Sequence, residues 1–195
     1  MSPRILVLPG SLRLASVNRL LAAEAARQLA LTAASVSLVD LADYPMPIYC
    51  GDDEDSDGPP EAALRLAEMI AAQDALLIVT PEYNASIPPL LKNALDWVSR
   101  VRKIRGRPVQ PFRGLVVALA AASPSRLGGL RALVALRPIC LALGTEVLTS
   151  QVTLADTGNG FDADGRLREE HARLSLETLV ESLVGHARLL GRHQF

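Results

Sequence analysis

The sequence predicts a three-layer α/β fold in which a five-stranded parallel sheet of order 2-1-3-4-5 is covered by helices on both faces. Three observations predict it. Runs of β-type residues alternate with helical stretches along the 195-residue chain, and right-handed crossovers between parallel strands place helices on either side of a sheet. Two of the runs, Ala75 to Val79 and Leu115 to Ala122, are apolar without interruption, as strands buried on both faces are. Polar loops follow the first and third strands, where an open sheet of this order has its switch point and leaves a crevice for a ligand.

Arg4 to Leu8 opens the chain as a short β run. Val17, Leu20, Leu21, Ala25 and Leu29 then recur at helical spacing, and Ser35 to Leu41 returns to strand as Val36 and Leu38 alternate with polar neighbours. Gly51 to Pro60 reads as a solvated loop, because Asp52, Asp53, Glu54, Asp55 and Asp57 repel one another. Their spacing does not match a calcium loop. Glu61 to Gln73 is helical with Ala63, Leu66, Ala67 and Ile70 on one face, and it leads into the strand Ala75 to Val79. Pro88 to Arg100 is a helix with proline in its first turn, on which Leu91, Leu95 and Trp97 read as core. Arg100, Arg102, Lys103, Arg105, Arg107 and Arg113, with Gly106 and Pro108, form a basic connection. It reads as a solvated link, or as a contact for an anion or a second subunit. Gly114 to Ala121 is the fourth strand, Leu127 to Leu143 the next helix, Glu146 to Leu154 the fifth strand and Glu169 to Leu190 the closing helix.

Composition narrows the function. The length predicts one domain spanning residues 1–195. Lys and Arg number 20 against 21 Asp and Glu, so the chain lacks the positive excess with which proteins follow a nucleic-acid backbone. Leu115 to Ala122 is far shorter than the ~20 apolar residues that cross a bilayer. Ile5 to Leu8, stopped by Pro9 and Gly10, is too short for the apolar region of a signal peptide, so a cytoplasmic location is expected. Cys50 and Cys140 stand far apart with no paired-cysteine motif, and His171, His186 and His193 all lie near the C-terminus. Neither a disulfide framework, a metal site nor a His-based catalytic triad is indicated.

The chemistry is carried by two loops. Residues 9–18 read Pro-Gly-Ser-Leu-Arg-Leu-Ala-Ser-Val-Asn and join a buried strand to a helix. Gly10 allows a sharp turn and close approach, Ser11, Ser16 and Asn18 offer short donors, and Arg13 adds a charged fork. A helix N-terminus with these side chains suits a phosphate monoester. The spacing is neither a dinucleotide fingerprint nor a P-loop. The plainer alternative makes Ser16 a helix cap, Ser11 and Asn18 turn residues and Arg13 a solvated side chain. Residues 80–89 read Thr-Pro-Glu-Tyr-Asn-Ala-Ser-Ile-Pro-Pro. They supply backbone N–H groups, an amide and an aromatic wall, as a flat heterocycle such as flavin requires. Taken separately, Pro81 ends a strand, Asn84 makes a turn, Ser86 caps the next helix and Tyr83 lies on the surface. That account leaves unexplained why both polar loops fall beside one predicted crevice.

Together, Gly10-Ser-Leu-Arg13 with Ser16 and Asn18, Thr80-Pro-Glu-Tyr-Asn84-Ala-Ser-Ile-Pro88, and Leu91-Lys-Asn-Ala-Leu-Asp-Trp97-Val-Ser-Arg100 resemble the NADPH-dependent FMN reductase family, which has a flavodoxin-like fold and includes quinone, azo-dye and chromate reductases. The likeness runs from the first strand to about Thr145. Departures are Pro9 before Gly10, and Ser125 where the family's Ala122-to-Leu130 loop commonly has glycine. The resemblance implies that Ser11, Arg13, Ser16, Val17 and Asn18 bind the FMN phosphate, that Pro81, Glu82, Tyr83 and Asn84 border the isoalloxazine ring, and that Ser123 is a third contact. It further implies a homodimer or homotetramer, with NADPH or NADH as electron donor. A ping-pong transfer follows, in which FMN accepts hydride and a quinone, flavin, azo compound or metal oxyanion is then reduced. No side-chain nucleophile is needed, because the cofactor carries the chemistry. One extension has Arg100 to Arg107 meet the adenosine phosphate of NADPH, so that replacing Arg105 with alanine raises the requirement for NADPH more than for NADH. Two rivals keep the fold: an FMN electron carrier, which the balanced charge does not favour, and a flavin-free binding module.

Overall fold

The computed structural model describes residues 2–192, so His193 lies outside the described residues. The elements in chain order are β1 (Arg4–Pro9), α1 (Val17–Ala30), β2 (Ser35–Leu38), α2 (Gly51–Asp57), α3 (Glu61–Ala71), β3 (Ala75–Thr80), α4 (Pro89–Arg100), β4 (Lys103–Ile104), β5 (Arg107–Pro108), β6 (Val116–Ala122), α5 (Leu130–Ala142), β7 (Glu146–Leu154) and α6 (Glu170–Leu190). The large sheet has the order β2-β1-β3-β6-β7 with every neighbouring pair parallel. Counting its strands alone, this is the order 2-1-3-4-5 expected from the sequence.

Alternation along the strands builds a core on each face. Leu6, Leu8, Leu76, Ile78, Val117 and Leu119 point into one core with α3, α4 and α5. Ile5, Val7, Leu77, Val79, Ala118 and Ala120 point into the other with α1 and α6. Because β1, β3 and β6 are sandwiched in this way, they read as continuous apolar runs. The edge strands β2 and β7 keep a polar side. Trp97, on α4, is buried and donates its indole N–H to the Pro47 carbonyl at 2.8 Å, which confirms its place in the core.

Two connections differ from expectation. The acidic segment is not a loop: residues 51–57 form the short helix α2, closed by Gly58 at φ +75°. Asp52, Asp53 and Glu54 occupy its first turn, where negative charge is favoured by the helix dipole. Glu54 also accepts from the Tyr49 hydroxyl at 2.8 Å and from Arg100 Nε at 2.7 Å, which docks α2 onto α4. The basic stretch contains the hairpin β4–β5, whose turn has Arg105 at φ +50° and Gly106 at φ +78°. Positive φ at both central residues is the turn whose twist suits a two-residue hairpin. The second strand also ends earlier than predicted, at Leu38, because Asp40 accepts from the Ala42 N–H at 3.0 Å and starts a tight turn over Leu41–Asp43.

Within this chain the hairpin lies away from the two polar loops. Pro108 and Val109 lie beside Ala71 and Ala72, next to the start of β3, whereas the polar loops leave the opposite ends of the strands. Six residues of β3 at ~3.3 Å each separate the two poles by about 20 Å. Arg105 is moreover paired with Glu68 at 2.9 Å, and Arg100 with Glu54.

Candidate functional site

At the C-terminal ends of β1, β3, β6 and β7 the chain encloses a cleft of about 420 Å³ lined by Ser11, Arg13, Ala15, Ser16, Val17, Asn18, Pro81, Glu82, Tyr83, Ala122, Ser123, Pro124 and Thr157. Every site residue singled out from the sequence lies in this wall except Asn84. Ala15, Ala122, Pro124 and Thr157 were not foreseen. The volume falls in the range of ~300–1,000 Å³ usual for small-molecule sites.

One end of the cleft is built by the loop entering α1. Gly10 N–H donates to the Val79 carbonyl at 2.8 Å and extends the β1–β3 ladder by one residue. A Cβ at Gly10 would lie 3.2 Å from both Leu91 Cδ2 and Thr80 Oγ1. The close approach that requires glycine is therefore to α4 and β3. Arg13 N–H donates to Ser11 Oγ at 3.3 Å, and Ser16 N–H to the Arg13 carbonyl at 3.1 Å, which folds the loop back on itself. Ser16 has the extended conformation of a helix cap (φ −77°, ψ 123°), yet its hydroxyl makes no capping bond and the residue is buried. The plainer reading of Ser16 as a cap thus fails, and its hydroxyl stays available to a ligand. The first-turn N–H groups of Val17 and Asn18 also find no acceptor among the described residues. Arg13 is exposed and has no ion-pair partner among the described residues. Free N–H groups, a positive helix end, a hydroxyl and a guanidinium together suit a phosphate.

Asn18 behaves differently from the donors beside it. Its Nδ2 donates to the Ala122 carbonyl and its Oδ1 accepts from the Ala122 N–H, both at 2.8 Å and both buried. This reciprocal pair clips the start of α1 to the end of β6. What Asn18 still offers the cleft is its backbone N–H and its second amide hydrogen.

The loop after β3 forms the other end. Tyr83 and Ser86 exchange backbone hydrogen bonds at 2.9 and 3.0 Å around Asn84 (φ +50°) and Ala85 (φ +64°). This tight turn places Asn84 at an exposed tip outside the cleft wall and leaves Tyr83 44% exposed at the rim. Ser86 does not cap α4, whose cap is Pro88. Glu82 borders the cleft, but its carboxylate is turned to the start of α5. There it accepts from the Arg131 N–H at 3.1 Å and from Arg131 Nε at 2.6 Å. A carboxylate at a helix N-terminus is favoured by the dipole, and this one ties the loop after β3 to α5.

The third wall begins where Ser123 N–H donates to the Leu154 carbonyl at 2.9 Å, and Ser123 Oγ accepts from the Ser125 N–H at 3.2 Å. Gly128 and Gly129 then turn the chain into α5 at φ +57° and +89°. A Cβ on Gly129 would lie 2.6 Å from Ala121 Cβ, so only glycine lets α5 begin this close to β6. No thiol or imidazole lines the cleft. Burial pushes the Cys140 thiol up to about 12, and His171 and His186 lie on α6. Among the described residues no group of His, Cys, Asp or Glu is arranged to hold a metal ion, and no helix is long and apolar enough to cross a membrane.

Residues 3–159 match the family model described as NADPH-dependent FMN reductase. The chain belongs to that family. It is 38% identical over 181 residues to an NAD(P)H-dependent FMN reductase of Pseudomonas aeruginosa, covering 92% of each chain. It is 36% identical over 189 residues to a 2-hydroxy-1,4-benzoquinone reductase of a Burkholderia species, covering 96% of this chain and 98% of the other. Among solved structures, the flavoenzyme NAD(P)H:(acceptor) oxidoreductase of Paracoccus denitrificans superposes with a TM-score of 0.80 at 29% identity, over 97% of this chain and 99% of that one. An archaeal flavodoxin superposes at a TM-score of 0.60 and 7% identity, over 95% of this chain and 99% of that one, which shows the fold alone. An FMN reductase of this family is an oxidoreductase that uses FMN and NAD(P)H. The cleft fits that cofactor: the hydroxyl of Ser16, which makes no capping bond, and the free first-turn N–H groups lie at one end, and the exposed Tyr83 rim at the other.

Proposed function

We propose that the chain catalyses ping-pong electron transfer from NADPH or NADH to a quinone, with FMN bound in the cleft by the residues expected from its sequence other than Asn84. The observation that carries this reading is the convergence, at one end of a cleft at the switch point, of donors that the protein leaves unpartnered. Ser11, Arg13 and Ser16, with the Val17 and Asn18 N–H groups, hold the phosphate. The backbone of Pro81, Glu82 and Tyr83 and the Ser123 turn border the ring. When bound, FMN would supply the redox chemistry between the nicotinamide and the acceptor. The side chains bind, orient and stack. Holding two flat partners in contact geometry removes translational freedom that a solution encounter would have to lose, and this is a large part of the acceleration. Of these backbone groups, the Glu82 N–H has no acceptor among the described residues, and a donor there favours the reduced, more negative ring.

A quinone is supported as acceptor by the benzoquinone reductase relative and by the exposed aromatic ring of Tyr83 at the cleft rim. Free flavin, azo compounds and metal oxyanions follow as secondary acceptors, because an open pocket discriminates weakly. With the FMN-loaded protein, initial rates against NADPH at several benzoquinone concentrations are expected to give parallel double-reciprocal lines. Lines that converge would show donor and acceptor bound together and overturn the ping-pong order. No turnover with any small acceptor would favour the electron-carrier reading.

A further inference from the structure

We infer that Thr157, carried by the segment after β7, is a further cofactor-binding residue that donates its hydroxyl to the FMN phosphate; this rests on the FMN reading proposed above. Thr157 lines the cleft and is only 7% exposed. Its hydroxyl makes no hydrogen bond with any described residue, and the turn it opens has no side-chain cap. Among the described residues the one sealed side-chain polar atom without a partner is Gln28 Oε1, so the Thr157 oxygen keeps open surface although the residue as a whole is buried. The cleft that Thr157 lines is where a ligand reaches that oxygen.

The surroundings deliver this one side chain. Asp156, just before it, adopts the left-handed conformation (φ +48°, ψ 45°), which aspartate enters more readily than most residues with a side chain. The following residues form a strap pinned to α1. Asp162 Oδ1 accepts from the Asp164 and Arg166 N–H groups at 2.9 and 2.8 Å, and Arg168 Nε donates to the Phe161 carbonyl at 2.8 Å. Arg27, on α1, donates to the Gly165 carbonyl at 3.0 Å and pairs with the buried Glu24. The helix whose N-terminus meets the phosphate thus also anchors the strap that presents Thr157.

Position within the cleft decides which part of the cofactor is met. Leu154, which ends β7, accepts from Ser123, and Ala122 is clipped to Asn18. Thr157 therefore stands on the side of α1, β6 and β7, across from Glu82 and Tyr83 on the loop after β3. That is the end where Ser16 and the first-turn N–H groups converge.

The test compares the wild type, Thr157→Val and Thr157→Ser for FMN and riboflavin affinity by flavin fluorescence quenching, with apo-protein melting as a check on folding. Thr157→Val keeps the shape and removes the hydroxyl. It is expected to weaken FMN binding about ten-fold or more, the scale of a hydrogen bond to a charged group. Riboflavin binding should stay nearly unchanged, and Thr157→Ser should restore FMN affinity. FMN affinity unchanged in Thr157→Val overturns the assignment, and equal losses for FMN and riboflavin overturn its placement on the phosphate. A wild type that takes up no FMN overturns the cofactor reading itself, and this is seen before any variant is compared.

Discussion

Replacing Arg13 by alanine is expected to weaken FMN binding by about ten- to a hundred-fold while riboflavin binding changes by less than about two-fold, since a charge-assisted hydrogen bond contributes ~1.5–3 kcal/mol. Arg131 is spent on Glu82, whereas Arg13 lines the cleft with no ion-pair partner among the described residues. Its guanidinium is exposed, so its removal leaves no buried group unpaired and should barely alter stability. The loss then reports the phosphate alone. Salt gives a second reading of the same contact: raising ionic strength should reduce FMN affinity in the wild type more than in Arg13→Ala. Flavin titrations of both proteins measure these quantities. Equal losses for FMN and riboflavin would place Arg13 at the ring and not at the phosphate.

Replacing Asn18 by leucine is expected to cost about 2–5 kcal/mol of stability, because Asn18 alone satisfies both backbone groups of Ala122 and each buried polar group left unpaired costs ~1–3 kcal/mol. Ala122 is 1% exposed, so water cannot easily replace the amide. For a chain of this length the loss corresponds to a melting point lowered by roughly 5–15 °C. Asn18→Asp separates the two bonds. Its carboxylate still accepts from the Ala122 N–H at the position now 2.8 Å away, but it faces the Ala122 carbonyl with no hydrogen to donate. A chemical-denaturation series on the apo-proteins should rank them wild type, then Asn18→Asp and Asn18→Leu below it. Stability of Asn18→Leu within about 0.5 kcal/mol of wild type, the range of an ordinary surface change, would show that the clip carries no weight.

The sheet was legible because its signals are local. A strand buried on both faces needs apolar side chains at every position, and Leu76 to Val79 and Val116 to Ala122 show just that. The two loops were legible because fold order puts the switch point after the first and third strands, and both loops carry donors there. What escaped the sequence depends on partners far along the chain. Mutual repulsion among five acids argued for a loop over Gly51 to Asp57, but Arg100, 46 residues from Glu54, holds that segment as a helix. Asn18 read as a cofactor donor; its amide meets Ala122, 104 residues away. Glu82 read as a ring neighbour, and its carboxylate is held by Arg131, 49 residues on. Thr157 carries no motif at all. Its approach depends on the strap between β7 and α6, whose contacts with α1 cross more than a hundred positions.

The same geometry separates an enzyme from a carrier. A carrier needs only to hold its cofactor, and the phosphate end of the cleft would suffice for that. An oxidoreductase must also admit a nicotinamide, and with FMN bound as proposed the exposed Tyr83 turn would leave the ring end open for it. The measurement that tests this most directly is an anaerobic titration of the FMN-loaded protein with NADPH, following the visible absorbance of the bound flavin. The absorbance is expected to bleach in proportion to added NADPH, with bleaching complete at stoichiometry. Bound flavin that stays oxidised in excess NADPH and in excess NADH would contradict it.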